Sequence, residues 1–223
     1  MKRLLSTSAA ACSSVNHYEE TFYFKDLVIQ QASQSQLQVK PDTDSLVFGK
    51  HFSDHMFEAE WTVEDGWTTP KICPLHYLSL HPGAKVLHYA IELFEGLKAY
   101  RGVDNKIRIF RPDLNMKRMV RSARRACLPA FNGEEFIKCI EELIRLDHDW
   151  VPYSTTASLY VRPCFIGTDS TLGVAYSHSA QLFVCQGPTG TYFPSGFRPI
   201  SLYADPTHIR AMRGGVGGYK MGS

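Results

Sequence analysis

The chain has 223 residues, of which 44% are hydrophobic and 21% are charged, so its composition is that of a folded globular protein and excludes global disorder. Its net charge is only +2, and its basic residues are interspersed with acidic ones, so we expect no nucleic-acid partner. No apolar run approaches the ~20 residues that a membrane-spanning helix needs, so we expect no membrane partner either.

Residues 1–15 form a segment that is rich in Ser and Ala, carries Lys2 and Arg3, and precedes the first acidic residue, Glu19. The segment lacks the long apolar core of a secretory signal. A mitochondrial transit peptide is one interpretation, and an ordinary unstructured terminus of a cytoplasmic protein is the other. We predict a mitochondrial location and keep the cytoplasmic alternative.

Two helices are predicted from apolar residues spaced three or four positions apart. The first covers residues 113–126, with Asp113 as its cap, and its expected buried side consists of Met116, Met119, Val120, Ala123 and Cys127. The second covers residues 133–149, and Asn132 followed by Glu135 supplies an N-terminal capping signature. Its apolar stripe consists of Phe136, Ile137, Ile140, Leu143 and Ile144.

Strands are predicted over residues 97–101 and 106–110, which form a hairpin, and over residues 158–166, 181–185 and 199–203. Because helices and strands mix without strict alternation, we predict the α+β class. We expect an N-terminal segment over residues 1–45 and a first domain over residues 46–187. A Pro- and Gly-rich linker is expected over residues 188–198, and the start of a second domain over residues 199–223.

The six cysteines are scattered along the chain, without a C-x-x-C pair and without histidines at zinc-finger spacing. This pattern is typical of free thiols in a reducing compartment. The sequence therefore predicts neither a disulfide framework nor a metal site.

The last fourteen residues contain five glycines around a single lysine, Lys220. The segment ends in neither the Gly-Lys-Ser/Thr of a phosphate-binding loop nor the third glycine of a dinucleotide fingerprint. What remains is a lysine with little side-chain bulk beside it, and such access is what a lysine needs to react with an aldehyde.

Several stretches in sequence order give the chain a resemblance to one family. They include residues 46–50 (LVFGK), 94–102 (FEGLKAYRG), 111–116 (RPDLNM), 159–163 (LYVRP) and 214–220 (GGVGGYK). The chain resembles the branched-chain amino-acid aminotransferases, which are pyridoxal-phosphate enzymes of fold type IV. The resemblance implies a homodimer that moves the amino group of leucine, isoleucine or valine to 2-oxoglutarate and so forms glutamate.

The resemblance also implies the cofactor residues. Lys220 would bond covalently to pyridoxal 5'-phosphate and carry a proton between the substrate and the cofactor. Arg118 would donate two hydrogen bonds to the cofactor phosphate, and Arg210 would lie near the cofactor. Lys117 departs from the family pattern, because an acidic residue is expected there, and this puts a local ion pair in doubt.

The substrate side follows from the same resemblance. Tyr160 and Arg162 are two residues apart on a predicted strand, so their side chains should share one face, where the family places the substrate carboxylate. Four aromatic residues would wall the pocket for the branched side chain: Phe48, Tyr89, Phe94 and Tyr192.

In the family a second domain follows the lysine and completes the cofactor site, so we expect this chain to be an incomplete form. Ser223 also departs from the family continuation. A non-catalytic truncated product that only associates with full-length subunits is therefore an alternative. D-amino-acid aminotransferases and aminodeoxychorismate lyases share the fold type, but residues 94–99 and the aromatic wall disfavour both.

Overall fold

The computed structural model describes residues 21–193, 195–196, 198–209 and 211–222. Within them, nine strands form one sheet in the order β1-β4-β2-β9-β8-β6-β7, with β3 paired to β2 and β5 paired to β8. The strands are β1 Val28–Ile29, β2 His55–Thr62, β3 Gly66–Trp67, β4 Lys71–Pro74, β5 Glu92–Phe94, β6 Leu97–Arg101, β7 Ile107–Ile109, β8 Ser158–Gly167 and β9 Ser179–Thr189. The helices are α1 Lys85–Tyr89, α2 Pro112–Arg125 and α3 Gly133–Leu146. The α+β class is confirmed.

The core lies between one face of the sheet and the helices α2 and α3. From the central strands, Phe57, Val161 and Leu182 are fully buried, and α3 supplies Phe136 and Leu143. Because successive side chains of a strand alternate between its faces, Tyr160 and Arg162 lie on the sheet face opposite Val161. None of the helices in this described part is long and apolar enough to cross a bilayer.

Helix α3 forms where the apolar stripe predicts it, and the Asn132 side chain accepts hydrogen bonds from the backbone N–H groups of Glu134 and Glu135. Helix α2 also forms, but its predicted cap was wrong. The helix begins at Pro112 after Arg111, whose φ of 49° is left-handed, so Asp113 lies inside the first turn.

The buried side of α2 needs two corrections. Met116, Met119 and Ala123 are buried as predicted, whereas Val120 is 38% exposed and Cys127 lies beyond the end of the helix. The left-handed backbone at Cys127 (φ 53°) turns the chain away after α2, so helical spacing no longer applies there.

The hairpin of β6 and β7 and the antiparallel pair of β8 and β9 confirm four predicted strands. The predicted strand over residues 199–203 was wrong, because those residues have no strand pairing in the structure. Strand β9 continues to Thr189, so two residues assigned to the predicted linker pair in the sheet. The rest of the domain division stays a prediction.

The packed part of the chain begins well before Leu46. The buried Phe22 ring contacts the rings of Phe57, Trp67 and Phe136, and β1 pairs in parallel with β4. Residues 22–29 are thus part of the same folded unit as the sheet. The segment 1–15 lies outside the described residues.

Candidate active site

Lys220 lies along the edge of β5 and is held there by backbone contacts. The N–H of Phe94 donates to the Lys220 carbonyl at 3.2 Å, and the Lys220 N–H donates to Ser122 Oγ at 3.2 Å. Two residues on, the Gly222 N–H donates to the Glu92 carbonyl at 3.3 Å. The Lys220 Nζ lies 4.3 Å from the centre of the Phe94 ring. These contacts fix where the lysine side chain starts.

Gly222 permits this close approach. A Cβ atom at that position would lie 1.8 Å from the Glu92 carboxylate, so any other residue would require the Glu92 side chain to move. The glycine therefore leaves room for the Glu92 side chain beside the segment that carries Lys220.

Arg118 on α2 forms a two-pronged ion pair with Glu95, which follows β5. Its Nε donates to Glu95 Oε1 at 2.6 Å, and its Nη2 donates to Oε2 at 2.7 Å. Asn115, one turn earlier on α2, donates from Nδ2 to the same Oε2 at 2.9 Å. Glu95 is fully buried, whereas the Arg118 side chain is 43% exposed. The hydrogen bonds to Glu95 raise the pKa of Arg118 further above its ordinary value.

This pairing leaves one edge of the guanidinium available. A guanidinium presents two pairs of parallel donors, one formed by Nε and Nη2 and the other by Nη1 and Nη2. Glu95 occupies the first pair, so the second pair of Arg118 points away from the carboxylate. An arginine held in this way is suited to bind an anion with two further hydrogen bonds.

Tyr160 and Arg162 share one sheet face, as predicted, and contact each other. The Arg162 Nε and Nη2 donate to the Tyr160 hydroxyl at 3.1 and 2.9 Å. The Arg162 guanidinium carbon also lies 4.4 Å from the centre of the Phe94 ring, the same ring that Lys220 contacts. A Cβ atom at Gly96 would lie 2.4 Å from the Tyr160 hydroxyl, so the glycine is needed for this arrangement.

The aromatic wall continues from Tyr160 into a loop. The Phe48 ring lies 5.0 Å from the Tyr160 ring and 5.2 Å from the Tyr192 ring, measured between centres. The loop crosses β9 at Gly187, where a Cβ atom would lie 1.9 Å from the His51 carbonyl oxygen. Ring and cation contacts therefore connect Tyr192, Phe48, Tyr160, Arg162, Phe94 and Lys220 into one cluster.

Two predicted residues stand outside this cluster. The Tyr89 hydroxyl, at the end of α1, donates to the Leu172 carbonyl, and its ring lines an open cavity of about 710 Å³ together with Met221 and Arg125. No ring contact of Tyr89 with the cluster is found among the described residues. Arg210 lies outside the described residues.

Three residues that build this site were not predicted from the sequence: Glu95, Asn115 and Ser122. Asn115, Arg118 and Ser122 are spaced three and four apart on α2, so they share one helix face, and that spacing was a signal available in the sequence. Glu95 lies inside the stretch 94–102, but its partner is 23 residues away. Only the tertiary packing of α2 against β5 brings the two together.

The comparisons with known proteins relate the chain to the aminotransferases. No protein-family model matches it. It is 59% identical over 204 residues to the cytosolic branched-chain-amino-acid aminotransferase of Ovis aries, covering 91% of this chain and 52% of that protein. It is 47% identical over 222 residues to the mitochondrial branched-chain-amino-acid aminotransferase of Bos taurus, covering 99% and 56%.

The chain is similar over nearly its whole length to branched-chain-amino-acid aminotransferases, and it spans about half the length of the curated relatives it matches. The relatives include cytosolic and mitochondrial proteins, so the predicted mitochondrial location and its cytoplasmic alternative are both compatible with them. Among solved structures, the branched-chain aminotransferase of Escherichia coli superposes with a TM-score of 0.47 at 23% identity. That match covers 60% of this chain and 40% of the other.

Proposed function

We propose that the protein to which this chain belongs transfers the amino group of leucine, isoleucine or valine to 2-oxoglutarate with the help of pyridoxal 5'-phosphate, and that it works as a homodimer. The observation that carries the proposal is the identity to curated relatives, 59% over 204 residues and 47% over 222 residues, the second span including Phe94, Arg118 and Lys220. The cofactor, the substrates and the homodimer are inferred from the resemblance to the aminotransferases.

The residues present fit the cofactor. Its phosphate is an anion that needs fixed donors, and Arg118 presents a pair of donors that Glu95 leaves open. Its aldehyde needs a lysine, and the backbone of Lys220 is hydrogen-bonded to Phe94, the residue before Glu95. When bound, the cofactor supplies an electron sink for the charge that develops at the substrate Cα.

Lys220 would hold the cofactor covalently and, once released by the incoming amino acid, would move the proton to and from the substrate Cα. A neutral amine is a competent base for this step. Its placement over Phe94 aims the side chain at the sheet face that also carries Arg162. The proton donor and the substrate-binding residues would therefore meet on one surface.

Tyr160 and Arg162 would orient the substrate carboxylate, because the Arg162 guanidinium is positioned by the Tyr160 hydroxyl and the Phe94 ring. Phe48 and Tyr192 would shield the branched side chain, at about 0.8 kcal/mol for each buried CH2 group. Tyr89 and Arg210 keep proposed roles in the pocket and near the cofactor on the resemblance alone.

A hybrid protein tests the proposal. Residues 1–220 of this chain are joined to the part of the Ovis aries relative that follows its matching lysine. We expect this hybrid protein to convert leucine in a reaction that depends on 2-oxoglutarate, and Lys220→Ala to abolish turnover. A folded hybrid that binds the cofactor but leaves leucine, isoleucine and valine unchanged would contradict the proposed reaction.

A further inference from the structure

A second polar cluster surrounds the buried carboxylate of Glu58 on β2. In the antiparallel register of β2 and β4, Glu58 lies opposite Lys71 and Met56 lies opposite Cys73, so Glu58 and Cys73 share one sheet face. His76 follows the end of β4. Glu58 is 4% exposed and Cys73 is 5% exposed, whereas His76 reaches the surface.

We propose that Glu58, Cys73 and His76 form a binding site for a divalent cation of the zinc class. Each residue offers one donor atom, and the three atoms lie within 4.8 Å of one another. Carboxylate oxygen, thiolate sulfur and imidazole nitrogen are the three donor types that zinc takes in proteins. Three protein ligands leave the fourth tetrahedral position to water, on the side where His76 is exposed.

The distances match a shared metal centre. The Glu58 Oε1 lies 3.3 Å from the His76 Nε2 and 3.6 Å from the Cys73 Sγ. With the usual zinc bond lengths and tetrahedral angles, a nitrogen and an oxygen ligand lie about 3.4 Å apart, and a sulfur and an oxygen ligand about 3.6 Å. The side chains therefore need little rearrangement to bind the ion.

The tautomer of His76 strengthens the case. Its Nδ1 lies 2.9 Å from the Tyr77 carbonyl oxygen, which can only accept, so Nδ1 carries the hydrogen. In the neutral ring Nε2 then carries the lone pair, and this atom faces Glu58 Oε1, so the nitrogen that a cation would bind points into the cluster. The other carboxylate oxygen accepts a hydrogen bond from Gln181 Nε2 at 3.1 Å, an outer-shell contact that orients the ligand.

Lys71 competes for the same carboxylate in the metal-free state. Its ammonium lies 2.8 Å from Glu58 Oε1, and its side chain is 53% exposed, so it can move into water when the ion binds. Burial, and after it Glu58, raises the pKa of Cys73 to about 12. On binding, the Cys73 S–H bond breaks, its proton passes to solvent, and bonds form from the metal to sulfur, nitrogen and oxygen. One thiolate and one carboxylate then neutralise the dication.

Titration of the 223-residue chain with Co²⁺, followed by displacement with Zn²⁺, tests the site. We expect one equivalent of Co²⁺ to give tetrahedral d–d absorption and a thiolate-to-cobalt charge-transfer band. Cys73→Ser should remove the band, and Gln181→Met should weaken Zn²⁺ binding about 10- to 100-fold. Lys71→Gln should strengthen binding, because it removes the competitor, while Cys139→Ala serves as the thiol control and should change nothing.

The absence of a charge-transfer band in the folded wild-type chain at saturating Co²⁺ would overturn the proposal. So would a band that survives in Cys73→Ser, or Zn²⁺ binding that Lys71→Gln leaves unchanged. If Cys73→Ser fails to fold, the wild-type band and the Lys71→Gln comparison decide alone.

Discussion

Glu95 and Arg118 face each other across two nearly equal hydrogen bonds, at 2.6 and 2.7 Å, although only the arginine reaches solvent. A buried carboxylate that is satisfied by an arginine and by Asn115 is costly to disturb, because removing one partner leaves a charge without compensation. The pair therefore fixes the direction of the arginine's remaining donors.

The first prediction concerns cofactor binding in the hybrid protein. Arg118→Ala should weaken pyridoxal-phosphate binding by about 1.5 to 3 kcal/mol, the range for hydrogen bonds to charged groups. Arg118→Lys should recover only part of this loss, because an ammonium lacks the two parallel donors. Glu95→Gln should also weaken binding, because Arg118 loses its anchor.

Fluorescence titration with the cofactor measures these affinities. Arg108→Ala is the matched control, since Arg108 forms a comparable pair with Asp104 on the surface. If both Arg118 variants bound pyridoxal phosphate with wild-type affinity, Arg118 would not bind the cofactor phosphate.

The second prediction concerns Gly96. In Gly96→Ala the new methyl group would meet the Tyr160 hydroxyl at 2.4 Å, so the tyrosine must move and its hydrogen bonds with Arg162 must break. We expect a loss of about 1 to 3 kcal/mol in the free energy of unfolding, the usual range for overpacking. Urea denaturation measures it. Gly173→Ala should be neutral, because no atom would lie within 4 Å of the added Cβ atom. Equal stability in both variants would contradict the packing described around Tyr160.

The third prediction concerns the start of α3. Asn132→Ala removes the acceptor for two backbone N–H groups and should lower the free energy of unfolding by about 0.5 to 2 kcal/mol. Glu141→Gln, an exposed change on the same helix, should stay within about 0.5 kcal/mol. If thermal or urea unfolding of Asn132→Ala matched wild type, the cap would not contribute to stability.

The fourth prediction concerns Cys139 on α3. Burial raises its pKa from 9.0 to about 12, so the folded chain keeps this thiol protonated where the unfolded chain has lost the proton. Its contribution to stability is therefore complete below pH 9 and is lost as the pH rises towards 12. Iodoacetamide should label Cys139 slowly in the folded chain at pH 8 and quickly in urea. Rapid labelling of the folded chain would show that the thiol is not buried.

The sequence predicts α3 and the hairpin of β6 and β7 because local patterns define them, an apolar stripe with a cap in one case and two short runs around a turn in the other. Strand β2 was missed although Phe57 to Thr62 alternate between apolar and polar side chains, so a local signal for this strand was available in the sequence. Its place in the sheet between β4 and β9, where the polar side chain of Glu58 is buried, depends on strand pairing that no local pattern specifies.

In the candidate site, too, some residues could be predicted from local sequence and others depend on tertiary packing. The resemblance gives Lys220, Arg118 and the Tyr160–Arg162 pair, because these residues lie in short recognisable stretches. The contact of Glu95 with Arg118 and the edge pairing of Lys220 along β5 depend on strand register and helix packing, which no local pattern specifies. The order of the aromatic cluster likewise depends on where the loop around Phe48 crosses β9.

Covalent trapping determines whether Lys220 is the residue that carries the cofactor. The hybrid protein is loaded with pyridoxal phosphate, reduced with borohydride, digested and mapped by mass spectrometry. We predict one modified residue, Lys220, with the modification lost in Lys220→Ala and kept in the control Lys98→Ala, whose side chain is exposed on β6. Trapping on another lysine of the wild-type hybrid, or undiminished trapping in Lys220→Ala, would contradict the assignment of Lys220 as the cofactor-bearing residue.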